Sequence, residues 1–181
     1  QGAMVGVHYN SSEGAARSVA QAVEAAGGKA HLVKADASQS SEVARAVEET
    51  AAAFGRLDGL INNAGGMVAR LPYAEMTDAH YDAVMDLNGR SVLAATRAAL
   101  PHLKAAGGGF IINPTSIAAR NGASGGAGLY GSSKAFAANV TRGMAKEFIP
   151  FGIRVNAVAP GVIETPFHER YSTEAQLKAQ L

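Results

Sequence analysis

The sequence contains no cysteine and no tryptophan. Without thiols there is no disulfide framework and no thiolate metal site. That fits a reducing compartment, and a cytoplasmic protein is expected. Its five histidines are scattered without ligand spacing, so no metal is expected. Charge of either sign is sparse: 16 Lys and Arg against 15 Asp and Glu leave a formal net charge of +1. That balance carries no electrostatic footprint for nucleic acid or for an anionic membrane. No apolar run reaches the ~18 residues of a membrane span, and no signal-peptide pattern opens the chain.

Alanine and glycine are abundant instead, which suits helices packed closely on a sheet. The 181 residues are enough for one domain with a real core, and 1–181 is read as that domain. Met4 to His8 is a short strand candidate, although the chain enters this apolar run almost at once and so reads as the middle of a longer one. Cap residues at Tyr9–Ser12 lead into a helix over Glu13 to Ala26, stopped by Gly27-Gly28. Further strands are expected at Ala30–Ala35, Asp58–Asn62, Phe110–Asn113 and Gly152–Ala159. Further helices are expected at Glu42–Phe54, at Asp78–Lys104 behind a Thr77 cap and with Pro101 in its last turn, and at Tyr130–Pro150. Residues 116–129 read as a Gly-, Ala- and Ser-rich loop.

Strand and helix alternate, and several strands are continuous apolar runs, which predicts an α/β parallel sheet covered on both faces. Ligands of such sheets bind at the carboxyl ends of the strands. The polar and glycine-rich clusters fall at those ends: Tyr9–Ser12, Asp36-Ala37, Asn62–Gly66, Asn113–Ser116 and Pro160–Thr165.

One pair adds chemistry to that edge. Tyr130 and Lys134 stand one helical turn apart. A phenol titrates near ~10 and is a poor acid-base group at neutral pH unless a neighbouring cation favours the phenolate. In isolation the pair is equally a snorkelling lysine beside a half-buried ring.

Asn62-Asn-Ala-Gly65 after a strand, Ser116 after the next, Tyr130-x-x-x-Lys134 and Arg154-Val-Asn-Ala-Val-Ala-Pro-Gly161 stand in the order of the short-chain dehydrogenase/reductase family. The chain resembles that family from Gly2 to about Thr165, and is similar to the branch holding 3-oxoacyl-carrier-protein reductases and many sugar, steroid and alcohol dehydrogenases. The resemblance implies a Rossmann-like, doubly wound parallel sheet with helices on both faces. It implies an oxidoreductase that moves a hydride between a nicotinamide cofactor and a carbonyl or secondary alcohol. Tyr130 would be the general acid or base, and Lys134 would lower its pKa and bind the nicotinamide ribose. Ser116 would hold the substrate oxygen, and Asn88 a water of the proton relay. Asn63, Ala64 and Gly65 would line the cofactor, with Tyr130 and Lys134 beside it. Asp36 and Ala37 would read the adenine, and Pro160, Gly161, Ile163 and Thr165 the nicotinamide end. The substrate pocket would draw on Met67–Pro72, the 117–129 loop and the segment after Thr165. A homotetramer joined through the helices at 78–104 and 130–150 is also implied.

Cofactor preference follows from the strand end at His8–Ser12. An acidic residue there meets a free ribose 2′-hydroxyl. This sequence has no carboxylate before Glu13, and Asn10 and Ser11 can donate to a 2′-phosphate, so NADP(H) is favoured over NAD(H).

The chain also departs from the family. The family's first strand with its Thr-Gly-x-x-x-Gly-x-Gly turn, and its C-terminal end, have no counterpart here, so the fold is read as incomplete at both ends. Pro114 and a slightly long 116–130 loop are expected to be able to shift Ser116. A catalytically inactive or truncated member, acting as a binding or structural subunit, is the alternative. A more remote one is a serine hydrolase: Gly122-Ala-Ser-Gly-Gly126 matches the nucleophile elbow, with Glu147 or Glu164 and then His168 completing the order.

Overall fold

The computed structural model describes residues 2–163 together with Thr165, Phe167, Tyr171 and Ser172. Two parallel sheets form. In the first, β1 (Met4–Tyr9) pairs with β2 (Lys29–Lys34), with Met4 opposite Lys29 and Tyr9 opposite Lys34. In the second, β4 (Gly109–Pro114) lies between β3 (Gly59–Ile61) and β5 (Ile153–Val158), with Ile111 opposite Leu60 and Val155. The order is β1–β2 in the first sheet and β3–β4–β5 in the second. Open α/β sheets take ligands at the carboxyl ends of their strands.

The connections are helical. Helix α1 (Glu13–Ala25) carries the chain from β1 to β2, and α2 (Ser40–Phe54) carries it back to β3. Right-handed crossovers put these two on opposite faces. Next to α2 lie α4 (Ser91–Ala105) and α6 (Gly128–Glu147), and α2 packs directly on α4. Leu103 and Ile111, both fully buried, meet Ala99, Met144, Phe148 and Val155 in the main core under these helices. A second cluster joins Ala37 and Val43 to Ala94 and Ala95, with Leu60 and Ala64 against it. It ties the first sheet to the second through side chains, and it brings the loop after β2 against the loop after β3.

The structure differs from the periodicity in three places. The strands are not covered evenly: Ile61 is 57% exposed and Val158 54% exposed, because α2, α4 and α6 share one face and no described helix covers the other face of β3–β5. The predicted helix over 78–104 is broken into α3 (Asp78–Met85) and α4 by a π-turn at Asp86–Arg90, with the Thr77 cap in place on the His80 amide. An extra residue in a turn is a frequent mark of a functional position. Here it turns Asn88 and Gly89 inward, where a Cβ on Gly89 would lie 3.2 Å from the Phe136 ring. The predicted loop contains a short helix, α5 (Ala118–Asn121), which ends at Gly122 with φ +76°.

Asn113 is 1% exposed, inside β4. Its oxygen accepts from the Asn62 amide at 2.7 Å, and its own amide donates to the Thr141 hydroxyl at 2.8 Å. The three side chains join the ends of β3 and β4 to α6. Asn113→Ala leaves the Asn62 amide only its long bond to the Thr96 hydroxyl, at 3.5 Å, and should cost about 2–3 kcal/mol in urea unfolding. A loss below about 0.5 kcal/mol, the scale of an ordinary surface substitution, would show that the network is not what fixes these strand ends.

Candidate active site

The loop leaving β4 is held from both sides. The Thr115 amide donates to Val158 at 2.7 Å and the Ile117 amide to Pro160 at 2.9 Å. Ser116 lies between these two bonds, so its position is set by the end of β5. Its hydroxyl accepts from the Ala118 amide at 3.2 Å and stands near enough to the Tyr130 phenol to act on its pKa.

Tyr130 falls in the first turn of α6, which begins at Gly128. Helix α5 presses on this turn: a Cβ on Gly131 would lie 2.9 Å from the Ala118 carbonyl oxygen. The glycine lets the Ala118 backbone approach this turn. Burial pushes the phenol above its ordinary value, and the Ser116 hydroxyl acts the other way.

Lys134 is buried and donates to the Pro114 carbonyl at 3.1 Å. Its Nζ lies 5.9 Å from the centre of the Tyr130 ring. Burial brings its pKa down to about 8. The ammonium points at Pro114 and Gly65, and the Ser116 hydroxyl acts to lower the phenol.

Asn88 clamps the loop after β3. Its oxygen accepts from the Gly66 amide at 3.0 Å, and its amide donates to the Gly66 and Val84 carbonyls at 2.8 and 2.9 Å. Both partners of its amide are backbone oxygens, so the side chain holds the loop. A Cβ on Gly65 would lie 2.8 Å from Asn88 Oδ1 and 3.0 Å from Lys134 Nζ. Glycine is therefore required where the loop crosses the lysine.

Ser116, Tyr130, Lys134, Asn88 and Gly65 thus form one cluster. Ala37 belongs to the apolar cluster against which Ala64, next to Gly65, also packs. Asp36 is no helix cap: its carboxylate accepts from the Ser38 amide and hydroxyl, at 2.9 and 2.8 Å. Asn63 is exposed beside Ala64, and Asn10 and Ser11 stand exposed after β1. Pro160 belongs to the Tyr130 cluster through its bond from Ile117, whereas Gly161 has open space where a Cβ would stand, Ile163 is exposed and the Thr165 hydroxyl turns back to the Ile163 carbonyl.

The serine-elbow reading fails on geometry. Ser124 lies between α5 and α6 rather than between a strand and a helix. Of the groups that would complete it, Glu164 and His168 lie outside the described residues. Among the described residues no group of three His, Asp or Glu could hold a metal, and no helix is long and apolar enough to cross a membrane.

Periodicity did not single out Arg70, Phe167 or Tyr171 individually. The Phe167 ring lies 5.8 Å from Tyr130, with Tyr171 5.1 Å beyond it. No spacing rule reaches across such loops; the only signal was that these residues fall in the segments named for the substrate pocket.

A family model described as short chain dehydrogenase matches residues 1–176. A cis-4-hydroxycyclohexanecarboxylate dehydrogenase of Sinomonas cyclohexanicum is 39% identical over 148 residues, covering 82% of this chain and 59% of that protein. Among solved structures, an NADH-dependent reductase complexed with NAD has a TM-score of 0.84 at 38% identity, over 98% of this chain and 76% of its own. A short chain dehydrogenase from Burkholderia cenocepacia in complex with NADP has a TM-score of 0.88 at 34% identity, over 97% of this chain and 69% of its own. The chain spans 57–64% of the length of the curated relatives it matches.

The buried lysine makes a prediction of its own. A lysine that titrates near 8 when folded and near 10.5 when unfolded binds fewer protons in the folded state between those values, so stability rises with pH across that window. Below it the cation costs roughly 3 kcal/mol, of which the Pro114 hydrogen bond returns about 1 kcal/mol. Lys134→Met should therefore stabilise the protein by roughly 2 kcal/mol at pH 7, and the gain should shrink towards pH 10. A destabilised variant at pH 7 would show that the ammonium is better compensated than this.

Proposed function

The chain belongs to the short-chain dehydrogenase family, and on that premise we propose that the protein carrying it transfers a hydride between NADP(H) and a carbonyl or secondary alcohol. The observation that carries the reading is the meeting of Ser116, Tyr130 and Lys134 at the carboxyl end of β4. It also speaks against an inactive binding or structural subunit, which would have no use for a buried cation beside two neighbouring hydroxyls.

The residues suit a dinucleotide. Gly65 has no room for a side chain against Lys134, so the backbone after β3 is free to lie against a flat ligand. Asn63, Ala64 and Gly65 would line that ligand, and Asp36 and Ala37 would meet its adenine. Pro160, Gly161, Ile163 and Thr165 would hold the nicotinamide end. The bound nicotinamide supplies or takes up the hydride.

The chain's own residues manage the proton. In reduction, Tyr130 gives its proton to the carbonyl oxygen as that oxygen gains charge; in oxidation, its phenolate takes the proton from the alcohol. Ser116 donates to the same oxygen, where charge develops in the transition state. Lys134, protonated at neutral pH, binds the ribose and stabilises the phenolate as it forms. Asn88 keeps the Gly65-Gly66 backbone at the lysine and would order a relay water behind it.

The 2′-phosphate preference rests on the end of β1. Asn10 and Ser11 are exposed there, and the nearest following carboxylate, Glu13, is bound by Arg17 at 2.6 Å. A cytoplasmic location and a homotetramer built through α3, α4 and α6 belong to the same reading. Tyr81 and Leu93, exposed on α3 and α4, offer apolar area for such an interface.

Tyr130→Phe in the full-length protein should leave NADPH affinity, read by cofactor fluorescence, within about twofold and lower turnover at least ~100-fold. Wild-type turnover would remove Tyr130 from the chemistry. Asn10→Asp should weaken NADPH at least ~10-fold relative to NADH, because a carboxylate repels the 2′-phosphate. An unchanged ratio would move the phosphate site elsewhere.

A further inference from the structure

The segment after β3 is strained. Val68 has φ +65°, and the Ala69 amide donates to the Met67 carbonyl at 2.8 Å across it. This is the γ-turn of the rare, positive-φ sense, and a β-branched residue is poorly suited to it. Such a turn persists where its surroundings over-determine it. Met67, on one side, is buried. On the other side the Leu71 amide donates to Gly126 at 2.9 Å. Gly126 has φ +79°, and a Cβ on it would lie 2.8 Å from that same amide nitrogen.

Arg70 stands between these fixed points. Its Nη1 donates to the Ser124 and Gly125 carbonyls, at 3.2 and 3.0 Å. Its Nε donates to the Tyr171 carbonyl, and its Nη2 to the Ser172 hydroxyl at 3.3 Å. One rigid guanidinium thus joins three segments remote in sequence, with four oxygens as its acceptors. A planar fork is suited to this, and a single ammonium is not. The Tyr171 that it holds lies tilted against Phe167, and Phe167 lies tilted against Tyr130. The Tyr171 hydroxyl comes to 3.7 Å from where a Cβ on Gly66 would stand.

We infer that Arg70 is a positioning residue that latches Phe167 and Tyr171 into an aromatic wall beside Tyr130, and that the wall selects an apolar, cyclic ketone or secondary alcohol over a short linear one. An apolar ring presented to Phe167 buries more of its surface against the aromatic wall than a short open chain does. The latch itself rests only on contacts within this chain; the substrate class rests on the hydride-transfer reading.

The test uses the full-length protein and its Arg70→Ala and Phe167→Ala variants. Wild type should reduce cyclohexanone with a kcat/KM at least ~10-fold above that for 2-butanone. Arg70→Ala should raise the KM for cyclohexanone about 10-fold with kcat within about threefold, and should bring the two ketones level. NADPH affinity should stay put. Hydrogen exchange should lose protection at residues 124–127 and 171–172. Phe167→Ala should repeat the KM effect without the exchange effect, and it decides the wall should Arg70→Ala not fold. An unchanged ketone ratio in both variants overturns the wall, and unchanged exchange in Arg70→Ala overturns the latch. A wild-type protein that binds NADPH but reduces neither ketone overturns the substrate class alone; one that binds no NADPH overturns the hydride-transfer reading, while the exchange experiment still judges the latch.

Discussion

The ammonium of Lys134 is 6% exposed, with the Pro114 carbonyl 3.1 Å away and burial as the sole cause acting on its pKa. A cation taken out of water without an opposite charge is unfavourable and must be held by its surroundings. Much of the local structure follows from that. Pro114 ends β4 with its carbonyl turned to the lysine. Gly65 passes over Nζ because no side chain fits between them. Asn88, turned inward by the π-turn, holds the next peptide by both its N–H and its C=O. A charge held this way is at hand for a reaction in which negative charge develops on a neighbouring oxygen.

The sheet supplies the same place by a different route. The polar loops from β1, β2, β3 and β4 leave at the carboxyl ends of their parallel strands. The α2–α4 packing joins the two halves, and Ala37 after β2 and Ala64 after β3 both pack into the cluster with Ala94 and Ala95. Small residues recur wherever backbone must approach backbone or a polar head: Gly131 under Ala118, Gly89 beside Phe136 and Gly126 beside Leu71. The alanine- and glycine-rich composition is the sequence-level trace of these close approaches.

Alternation of strand and helix was legible because apolar runs and glycine stops are local signals. So were the Thr77 cap and the strand positions, to within a residue or two. The π-turn at Asp86–Arg90 was not, because one extra residue scarcely disturbs helical periodicity across 78–104. Helix α5 was hidden by a composition that suits loops, although Gly122 supplies its stop. Ser116, Tyr130, Lys134 and Asn88 were found through the order of motifs, and the structure brings them together. The direction of the lysine was not readable: four-residue spacing puts Lys134 on the face of Tyr130, but the Pro114 carbonyl decides where its Nζ points. The Arg70 bonds join residues about 55 and 100 positions apart, beyond the reach of any periodicity.

The central claim is that this cluster serves hydride transfer with a proton managed by Tyr130. The most direct measurement is a single turnover of the full-length protein with NADPH deuterated at the transferring carbon and a simple ketone. The account predicts deuterium on the carbinol carbon of the product, solvent hydrogen on its oxygen, and loss of both product and label transfer in the Tyr130→Phe protein. A product formed with no deuterium at the carbinol carbon, or equal label transfer by the Phe variant, would contradict it.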